Sequence, residues 1–297
     1  MYPSNFNYHK ADSFEQASRL LAELGADAKF IAGGQTLIPM MKLRLLRPTD
    51  LVDLGGIAGG DEIVETADTI EIGALARHGS VAKSDIAARY PVLKDCAAGI
   101  ADVQVRNMGT IGGSLAEADP NSCWPVVLVA LDARVQCMGP AGIREQPVRA
   151  LLADAYTPNL AHAELITRVI IERSALGGFG AFVAFKRAAP AYPTASCALM
   201  IHCDGDAVQS ATMGFGCVGL TPLAFDATDI LRGKAVTPVL VQAIADEAAA
   251  FVEPYADNKG TETYKRSLLK GLIRRAFANV ESRREGGTVK ETHFYYG

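Results

Sequence analysis

The spacing of apolar residues predicts short strands and helices in the first part of the chain. Residues 14–24 carry apolar side chains on one helical face, Ser13 and Gln16 have the spacing of a capping box, and Gly25 follows. We therefore expect a helix over 14–24 and, after it, a short strand that ends at Ile31.

The remaining pattern is β-rich first and helical last. Apolar runs predict strands over 51–54, 62–64, 69–72, 134–137, 179–187 and 195–203. Helical spacing predicts helices over 81–89, 92–100, 238–252 and 264–283, with Pro91 between the first two. The apolar run 126–131 is expected to be buried. The pattern predicts an α+β protein with at least two domains.

The composition is that of a globular protein and argues against a nucleic-acid partner. Of the 297 residues, 49% are hydrophobic and 21% are charged, and the formal net charge is −4. The basic cluster 266–284 has helical spacing and predicts a solvated helix face. The sequence shows neither a signal peptide nor an apolar run of about 18 residues, so we expect a cytoplasmic protein without an integral membrane segment.

Cysteines and histidines do not predict a metal site. The six cysteines form no C-x-x-C pair and the five histidines are isolated, so neither zinc nor a cysteine-ligated iron–sulfur cluster is indicated. In a reducing compartment, the cysteines are expected to be buried small apolar side chains.

Two glycine pairs carry the most specific signal, in AGGQT at 32–36 and TIGGS at 110–114. Glycine pairs allow a tight turn and leave backbone N–H groups open, which suits an anion. Two such loops that converge are able to hold a pyrophosphate; the alternative is that each is only a turn. An NTPase phosphate loop is absent, and the G-x-G-x-x-G at 214–219 runs into Pro222 where a Rossmann helix would have to form.

The segments AGGQTLIPMMKLRLLRPTDLVDL and NMGTIGGSLAEADP resemble the two flavin-binding segments of the FAD-carrying medium subunit of molybdenum hydroxylases. This family includes carbon monoxide, nicotine and nicotinate dehydrogenases and the flavin domain of xanthine dehydrogenase. The resemblance covers nearly the whole chain and implies a two-subdomain FAD-binding domain of the vanillyl-alcohol oxidase type, followed by a small C-terminal domain of antiparallel sheet plus helices. The implied boundaries are 1–57 and 58–176 for the subdomains, 177–285 for the C-terminal domain and 286–297 for a tail.

The resemblance also implies which residues bind FAD. It assigns one side of the pyrophosphate to Ala32, Gly33, Gly34, Gln35, Thr36 and Leu37, and the other side to Thr110, Gly113 and Ser114. The rest of the groove would be lined by Ala101, Val105, Glu117, Asp119 and Ser122. Ile166 and Lys186 are expected near the flavin ring, and Tyr192 either covers one ring face or is only a loop anchor before Pro193.

Two positions depart from the family pattern. Thr36 stands where serine is commoner and keeps the hydroxyl, so we expect no effect. Cys123 stands where an aspartate is frequent, so a carboxylate contact to the cofactor is missing there. Glu117 and Asp119 are the candidates to supply it.

The implied function is electron transfer within an oxidoreductase complex. Substrate would be hydroxylated at a molybdopterin centre on a large partner subunit, and electrons would pass through [2Fe–2S] clusters on a small partner subunit to FAD on this chain and then to an external acceptor. A dimer of heterotrimers is expected, and no residue of this chain is assigned to substrate chemistry. Two alternatives stay open: a stand-alone FAD-dependent oxidoreductase acting on a small molecule, and an assembly subunit that has lost its flavin.

Three further expectations concern the cofactor and the tail. FAD should be bound noncovalently, because neither glycine loop contains a His, Cys or Tyr. A bulky β-branched residue at Gly33 or Gly113 should remove flavin without unfolding the chain. The segment THFYYG at 292–297 should either dock on a partner or fold back on this chain.

Overall fold

A small parallel sheet forms the start of the fold in the computed structural model, which describes residues 2–289 and 291–295. Strands β1 (Asn7–Lys10) and β2 (Ala28–Ile31) lie on either side of β3 (Asp50–Asp53). Helix α1 (Phe14–Leu24) connects β1 to β2, and α2 (Leu37–Lys42) follows β2. The first glycine loop therefore leaves the carboxyl end of a parallel strand, where ligands of α/β sheets commonly bind.

Helix α1 begins and ends where the sequence predicts. Ser13 Oγ accepts the N–H of Gln16 at 3.1 Å, and Gly25 leaves the helix with a φ of +89°. The second half of the capping box differs from the expected pattern, because Gln16 Oε1 accepts the N–H of Asp12 rather than that of Ser13.

The middle of the chain forms an antiparallel sheet of order β4-β5-β10-β6-β7 and a separate hairpin, β8-β9. The strands of this sheet and this hairpin are β4 (Ile63–Glu65), β5 (Thr69–Gly73), β6 (Arg134–Gly139), β7 (Gly142–Pro147), β8 (Leu152–Asp154), β9 (Thr157–Pro158) and β10 (Leu165–Glu172). Its helices are α3 (His78–Lys83), α4 (Asp85–Arg89), α5 (Pro91–Gly99), α6 (Val103–Arg106), α7 (Ile111–Glu117), α8 (Cys123–Ala130), α9 (Val148–Leu151) and α10 (Arg173–Leu176).

Ser84 divides the helix that was predicted over 81–89, so that prediction is wrong. Its backbone is extended, with φ −70° and ψ 154°, and its Oγ accepts the N–H of Ala87 at 3.1 Å. A serine at this point ends α3 and caps α4 because its hydroxyl satisfies an otherwise free helical N–H group. The apolar run 126–131 is buried, as predicted, and lies mostly in α8.

The last part of the chain forms a second five-stranded sheet with helices against it. The strands are β11 (Phe179–Lys186), β12 (Pro193–Asp204), β13 (Ala207–Gly216), β14 (Leu223–Asp226) and β15 (His293–Tyr295), in the order β14-β13-β12-β11-β15. Only β15 is parallel to its neighbour, β11. The helices are α11 (Thr228–Leu231), α12 (Pro238–Phe251) and α13 (Glu262–Arg284).

These elements confirm the α+β class and the C-terminal domain of sheet plus helices. The glycine-rich run 214–219 leaves β13 and is followed by β14 rather than by a helix, so the rejection of a Rossmann fingerprint is confirmed. Within the described residues, buried apolar side chains form three clusters. One lies mainly in the first 57 residues, one lies in 70–176 and extends to four residues of the C-terminal sheet, and one joins that sheet to α12 and α13. The exact domain boundaries stay a prediction.

The basic cluster on α13 is only partly a solvated face. Arg283 is largely buried and pairs with Asp95 on α5, with both carboxylate oxygens 2.8 Å from the guanidinium. The prediction of a solvated face is therefore wrong for Arg283, because a partner far away in sequence covers it. Lys270 pairs with Asp246 on α12, where both side chains remain partly exposed.

The described part of the predicted tail folds back on this chain. Ala184, Phe185 and Lys186 of β11 pair with His293, Phe294 and Tyr295. The Arg275 guanidinium lies over the Phe294 ring, 3.9 Å from its centroid. This arrangement favours the fold-back alternative for 292–295, whereas residues 296 and 297 lie outside the described residues. In the described ranges, no helix combines the length and apolar character that crossing a bilayer requires.

Candidate functional site

A cavity of about 1060 Å³ lies where the glycine loops, the middle sheet and the β11–β12 connection meet. It is at the upper end of the usual volume of ligand pockets, about 300–1,000 Å³. Its walls come from β2 with the loop after it, the 100–123 region, β10, and the segment around Lys186 and Tyr192. A cavity of this size, with walls made of both loops and strands, suits a long ligand of several linked groups rather than a compact one.

The two glycine loops touch each other at one edge of the cavity. A Cβ atom placed on Gly33 would lie 2.1 Å from the carbonyl oxygen of Met108 and 2.8 Å from Gly109 Cα. Gly34 has a φ of +69°, which non-glycine residues rarely adopt. The first glycine pair is therefore required by the fold itself: Gly33 allows the second loop to approach, and Gly34 allows the turn.

The two glycines of the second pair have different roles. Gly112 packs against Ala74. Its N–H donates to Ala74 O at 2.8 Å, and a Cβ atom on Gly112 would lie 2.6 Å from Ala74 Cβ. Gly113 faces the cavity, since a Cβ atom there would meet only Thr110 Oγ1, at 2.9 Å. Thr110 caps α7 by accepting the N–H of Gly113 at 3.0 Å. The open space beside Gly113 fits a cofactor held against bare backbone.

The seventeen residues that the resemblance selected all line this one cavity. They are Ala32, Gly33, Gly34, Gln35, Thr36, Leu37, Ala101, Val105, Thr110, Gly113, Ser114, Glu117, Asp119, Ser122, Ile166, Lys186 and Tyr192. The chain therefore brings them together from positions 32 to 192. That each of them contacts FAD stays a prediction.

Strand pairing is irregular at Ile166 and at Lys186, two residues that line the cavity. The register of β10 against β6 shifts between Ile166 and Arg168, and that of β11 against β12 shifts at Lys186. Such bulges reorient side chains and are common beside functional sites. The Lys186 ammonium donates to Gly99 O, and burial lowers the pKa of Lys186 below its usual range. Lys186 thus holds Gly99, next to the wall residues Ile100 and Ala101, as well as lining the cavity.

A lysine from the C-terminal domain supports Tyr192. Lys259 Nζ lies 5.6 Å from the centroid of the Tyr192 ring and donates to Asn121 Oδ1 at 2.7 Å and to Pro193 O at 3.2 Å. Tyr192 lines the cavity and is 49% exposed. A supported, accessible aromatic ring suits stacking on a planar group.

Acidic and phenolic groups occupy another part of the wall. Asp119 is buried and accepts the backbone and side-chain N–H groups of Asn121 at 2.9 and 2.8 Å. Burial, with Asp119 adding to it, raises the pKa of Glu117 and raises that of Tyr156 to about 12. Tyr156 therefore remains a neutral phenol at physiological pH. Burial also raises the pKa of the Cys123 thiol, which argues against a reactive thiolate.

Sequence reasoning missed four charged or polar residues of the cavity, namely Lys29, His78, Tyr156 and Glu164. His78 directly follows the turn after β5, and its position at the end of a strand is the only signal that the sequence carried. Glu164 is paired with Arg144 at 2.6 Å, which lowers its carboxyl pKa. Tyr156 has a positive φ of 54°, a strained conformation that no sequence pattern indicated.

The cysteines are unpaired, and five of the six are buried, as predicted; Cys203 is partly exposed. Within residues 2–289 and 291–295, no three His, Cys, Asp or Glu side chains are grouped closely enough to hold a metal ion.

Two family descriptions match the chain in succession. "FAD binding domain in molybdopterin dehydrogenase" matches residues 4–173, and "CO dehydrogenase flavoprotein C-terminal domain" matches residues 180–280. The carbon monoxide dehydrogenase medium chain of Hydrogenophaga pseudoflava is 36% identical over 93% of this chain and 97% of its own length. The 6-hydroxypseudooxynicotine dehydrogenase complex subunit alpha of Paenarthrobacter nicotinovorans is 35% identical over 94% and 96%.

Solved structures agree with these matches. A chain of Hydrogenophaga pseudoflava carbon monoxide dehydrogenase, in a form that lacks the Mo-pyranopterin moiety of the molybdenum cofactor, superposes with a TM-score of 0.90 at 36% identity, covering 95% of this chain and 99% of that one. A chain of quinoline 2-oxidoreductase from Pseudomonas putida 86 gives a TM-score of 0.89 at 28% identity, with the same coverage. The chain is an oxidoreductase subunit that belongs to the family of FAD-binding medium subunits of molybdenum hydroxylases.

Proposed function

We propose that this chain receives electrons from [2Fe–2S] clusters on a small partner subunit and delivers them, through FAD held in the cavity, to an external acceptor. A large partner subunit with molybdopterin would carry the substrate chemistry. The observation that supports the proposal most strongly is the convergence of both glycine loops on one cavity, with Gly113 open towards it. Bound FAD would supply the exchange of electrons between carriers that protein side chains do not provide.

The residues of the cavity divide into three groups by what they offer such a cofactor. The loop at 32–37 offers backbone N–H groups, and Thr36, Thr110 and Ser114 offer hydroxyls, to a pyrophosphate. The N–H groups of 111–114 already donate within the chain. Ala101, Val105, Glu117, Asp119 and Ser122 line the groove between the ends of the ligand. Ile166, Lys186 and Tyr192 would surround the flavin ring, where the lysine offsets negative charge and the tyrosine covers a face. In this proposal Glu117 and Asp119 take the place of the carboxylate that Cys123 lacks.

We expect the purified chain to contain noncovalent FAD, because neither glycine loop carries a His, Cys or Tyr. The visible spectrum of the pure chain should be that of a flavoprotein, and acid precipitation should release the flavin into the supernatant. Flavin in the pellet would contradict noncovalent binding. A colourless chain that takes up no added FAD would support the lost-flavin alternative. Turnover of a small substrate by the chain alone would support the stand-alone oxidoreductase.

Exposed apolar residues beside the glycine loops are candidates for the contact with the iron–sulfur subunit. Leu43 and Leu45, which follow α2, are 63% and 72% exposed, and Met108, whose carbonyl approaches Gly33, is 47% exposed. Met40 and Leu46, on the same segment as the two leucines, line the cavity. Exposed apolar groups are typical of interaction surfaces, and a cluster-carrying subunit has to approach the flavin closely for electron transfer.

Leu45→Glu is therefore expected to weaken capture of the iron–sulfur subunit about tenfold, which corresponds to about 1.4 kcal/mol. The flavin content should not change, since Leu45 itself does not line the cavity. Val239→Glu, on the exposed start of α12, is the matched control. Affinity would be measured by titrating tagged wild-type and variant chains with the partner. Equal affinities for Leu45→Glu and wild type would contradict this docking site.

The assembly and its location complete the proposal. Copurification, with metal and flavin analysis and a mass measurement, should find molybdenum, iron and FAD in a dimer of heterotrimers. A chain that purified alone with full dehydrogenase activity would contradict it. A cytoplasmic location is supported by the unpaired state of all six cysteines, because disulfides are rare in reducing compartments.

A further inference from the structure

His78 lies where the two glycine loops meet. It begins α3, is only 5% exposed and lines the cavity. Its backbone N–H donates to Gly109 O at 3.0 Å, and a Cβ atom on Gly109 would lie 2.8 Å from His78 Nε2. Since Gly33 of the other loop also packs against Gly109, the imidazole lies close to the point where the two loops touch.

Trp124 determines which nitrogen of His78 carries the proton. The indole Nε1–H of this fully buried tryptophan donates to His78 Nδ1 at 3.0 Å. An indole nitrogen is only a donor, so Nδ1 has to accept and, in the neutral ring, the proton is on Nε2. Burial, with the Arg106 charge adding to it, lowers the pKa of His78 to about 4, so the ring is neutral at physiological pH.

In the described ranges no residue accepts a hydrogen bond from His78 Nε2, and this nitrogen is not enclosed in the protein interior but reaches the open cavity. A ligand oxygen that enters the cavity can therefore accept a hydrogen bond from this group in place of water. The acceptor best suited to the junction of the two loops is an anionic oxygen, because the positive charge of Arg106 acts on this point and the backbone N–H groups of the 32–37 loop favour negative charge.

We propose that His78 donates a hydrogen bond from Nε2 to a pyrophosphate oxygen of FAD and that Trp124 is the positioning residue that keeps the proton on this nitrogen. The inference rests on the proposed binding of FAD in this cavity. It adds to the glycine loops a neutral side-chain donor. Trp124, 46 positions further along the chain and out of reach of solvent, sets the orientation of this donor.

Three variants of the full chain test the proposal, with FAD affinity measured by flavin fluorescence quenching. His78→Leu removes the donor and should weaken FAD binding roughly 10- to 100-fold. His78→Gln, whose amide nitrogen reaches the position of Nε2, should recover most of that loss. Trp124→Phe keeps the imidazole but frees its tautomer, so it should weaken binding by a smaller factor, roughly two- to fivefold. Unchanged affinity in His78→Leu would overturn the proposal.

Fragments of the cofactor locate the contact. ADP, which contains the pyrophosphate without the flavin, should lose affinity for His78→Leu by the same factor as FAD, whereas riboflavin should not. The opposite pattern would overturn the assignment to the pyrophosphate. If His78→Leu does not fold, the ¹⁵N signal of His78 Nε2 in the wild-type chain decides: it should shift on addition of ADP, and an unchanged signal on saturation would overturn the proposal. A wild-type chain that binds neither FAD nor ADP would contradict the proposed function itself.

Discussion

Gly113→Val is expected to abolish FAD binding and leave the chain folded. The valine side chain would extend into open cavity space, because a Cβ atom at this position meets only Thr110 Oγ1. The backbone of Gly113 has no left-handed conformation, and valine is a better helix former than glycine, so the strain is confined to a small shift of Thr110 Oγ1, 2.9 Å from the new Cβ. Flavin content per chain and the thermal unfolding midpoint would be measured together. Retained flavin, or loss of the folded state, would contradict the expectation.

Gly33→Val is expected to lower stability as well as flavin content. This corrects the expectation that substitutions at Gly33 and Gly113 have the same effect. A Cβ atom at Gly33 would collide with the Met108 backbone of the second loop rather than with the cofactor. The loops would have to separate, so flavin should be lost together with some of the stability of this region. Gly271→Val on α13, where a Cβ atom meets nothing within 4 Å, is the control that should retain both. A fully stable Gly33→Val chain would contradict the loop contact.

Asp95→Ala is expected to lower the free energy of unfolding by about 3–5 kcal/mol, the usual cost of leaving a buried charge without its partner. Asp95 pairs with both guanidinium nitrogens of Arg283 and accepts the N–H of Phe182 at 3.1 Å. The side chains of Asp95 and Arg283 are only 7% and 12% exposed. Removing the carboxylate therefore leaves the Arg283 guanidinium and the Phe182 N–H without this acceptor.

Urea denaturation would measure this effect. Glu145→Ala, which removes an exposed partner of Arg134 at 3.5 Å, should change the free energy of unfolding by about 0–1 kcal/mol. Replacing both members of the buried pair, as in Asp95→Leu with Arg283→Met, should recover part of the loss, because no charge then remains buried. If Asp95→Ala were as stable as Glu145→Ala, the buried pair would have no structural role.

Local patterns in the sequence predicted the elements that local forces decide. Ser13 and Gly25 bound α1 through hydrogen bonds and backbone geometry that lie within one turn of the helix. The glycine pairs indicated open backbone for the same reason. Family resemblance, rather than periodicity, brought Ile166, Lys186 and Tyr192 into the same site as these loops.

The features that the sequence did not predict depend on contacts between distant residues. Arg283 looks like one more surface cation of a basic helix, and its partner Asp95 is 188 positions away. His78 became a candidate ligand only through Trp124 and Gly109, which the fold brings to opposite sides of its ring. Gly33 requires the absence of a side chain because of Met108, a neighbour in space and not in sequence.

The outer edge of β11 shows one further consequence of the buried pair and the returning strand. Along this edge, Gly180 O accepts from Arg283, the Phe182 N–H donates to Asp95, and the Ala184 N–H donates to Thr292 O at 3.0 Å. Several of the groups that a foreign strand could otherwise pair with on this side of β11 are thus occupied. An open strand edge is a common starting point for aggregation, so the side chains that join the layers also reduce the part of β11 that another molecule could pair with.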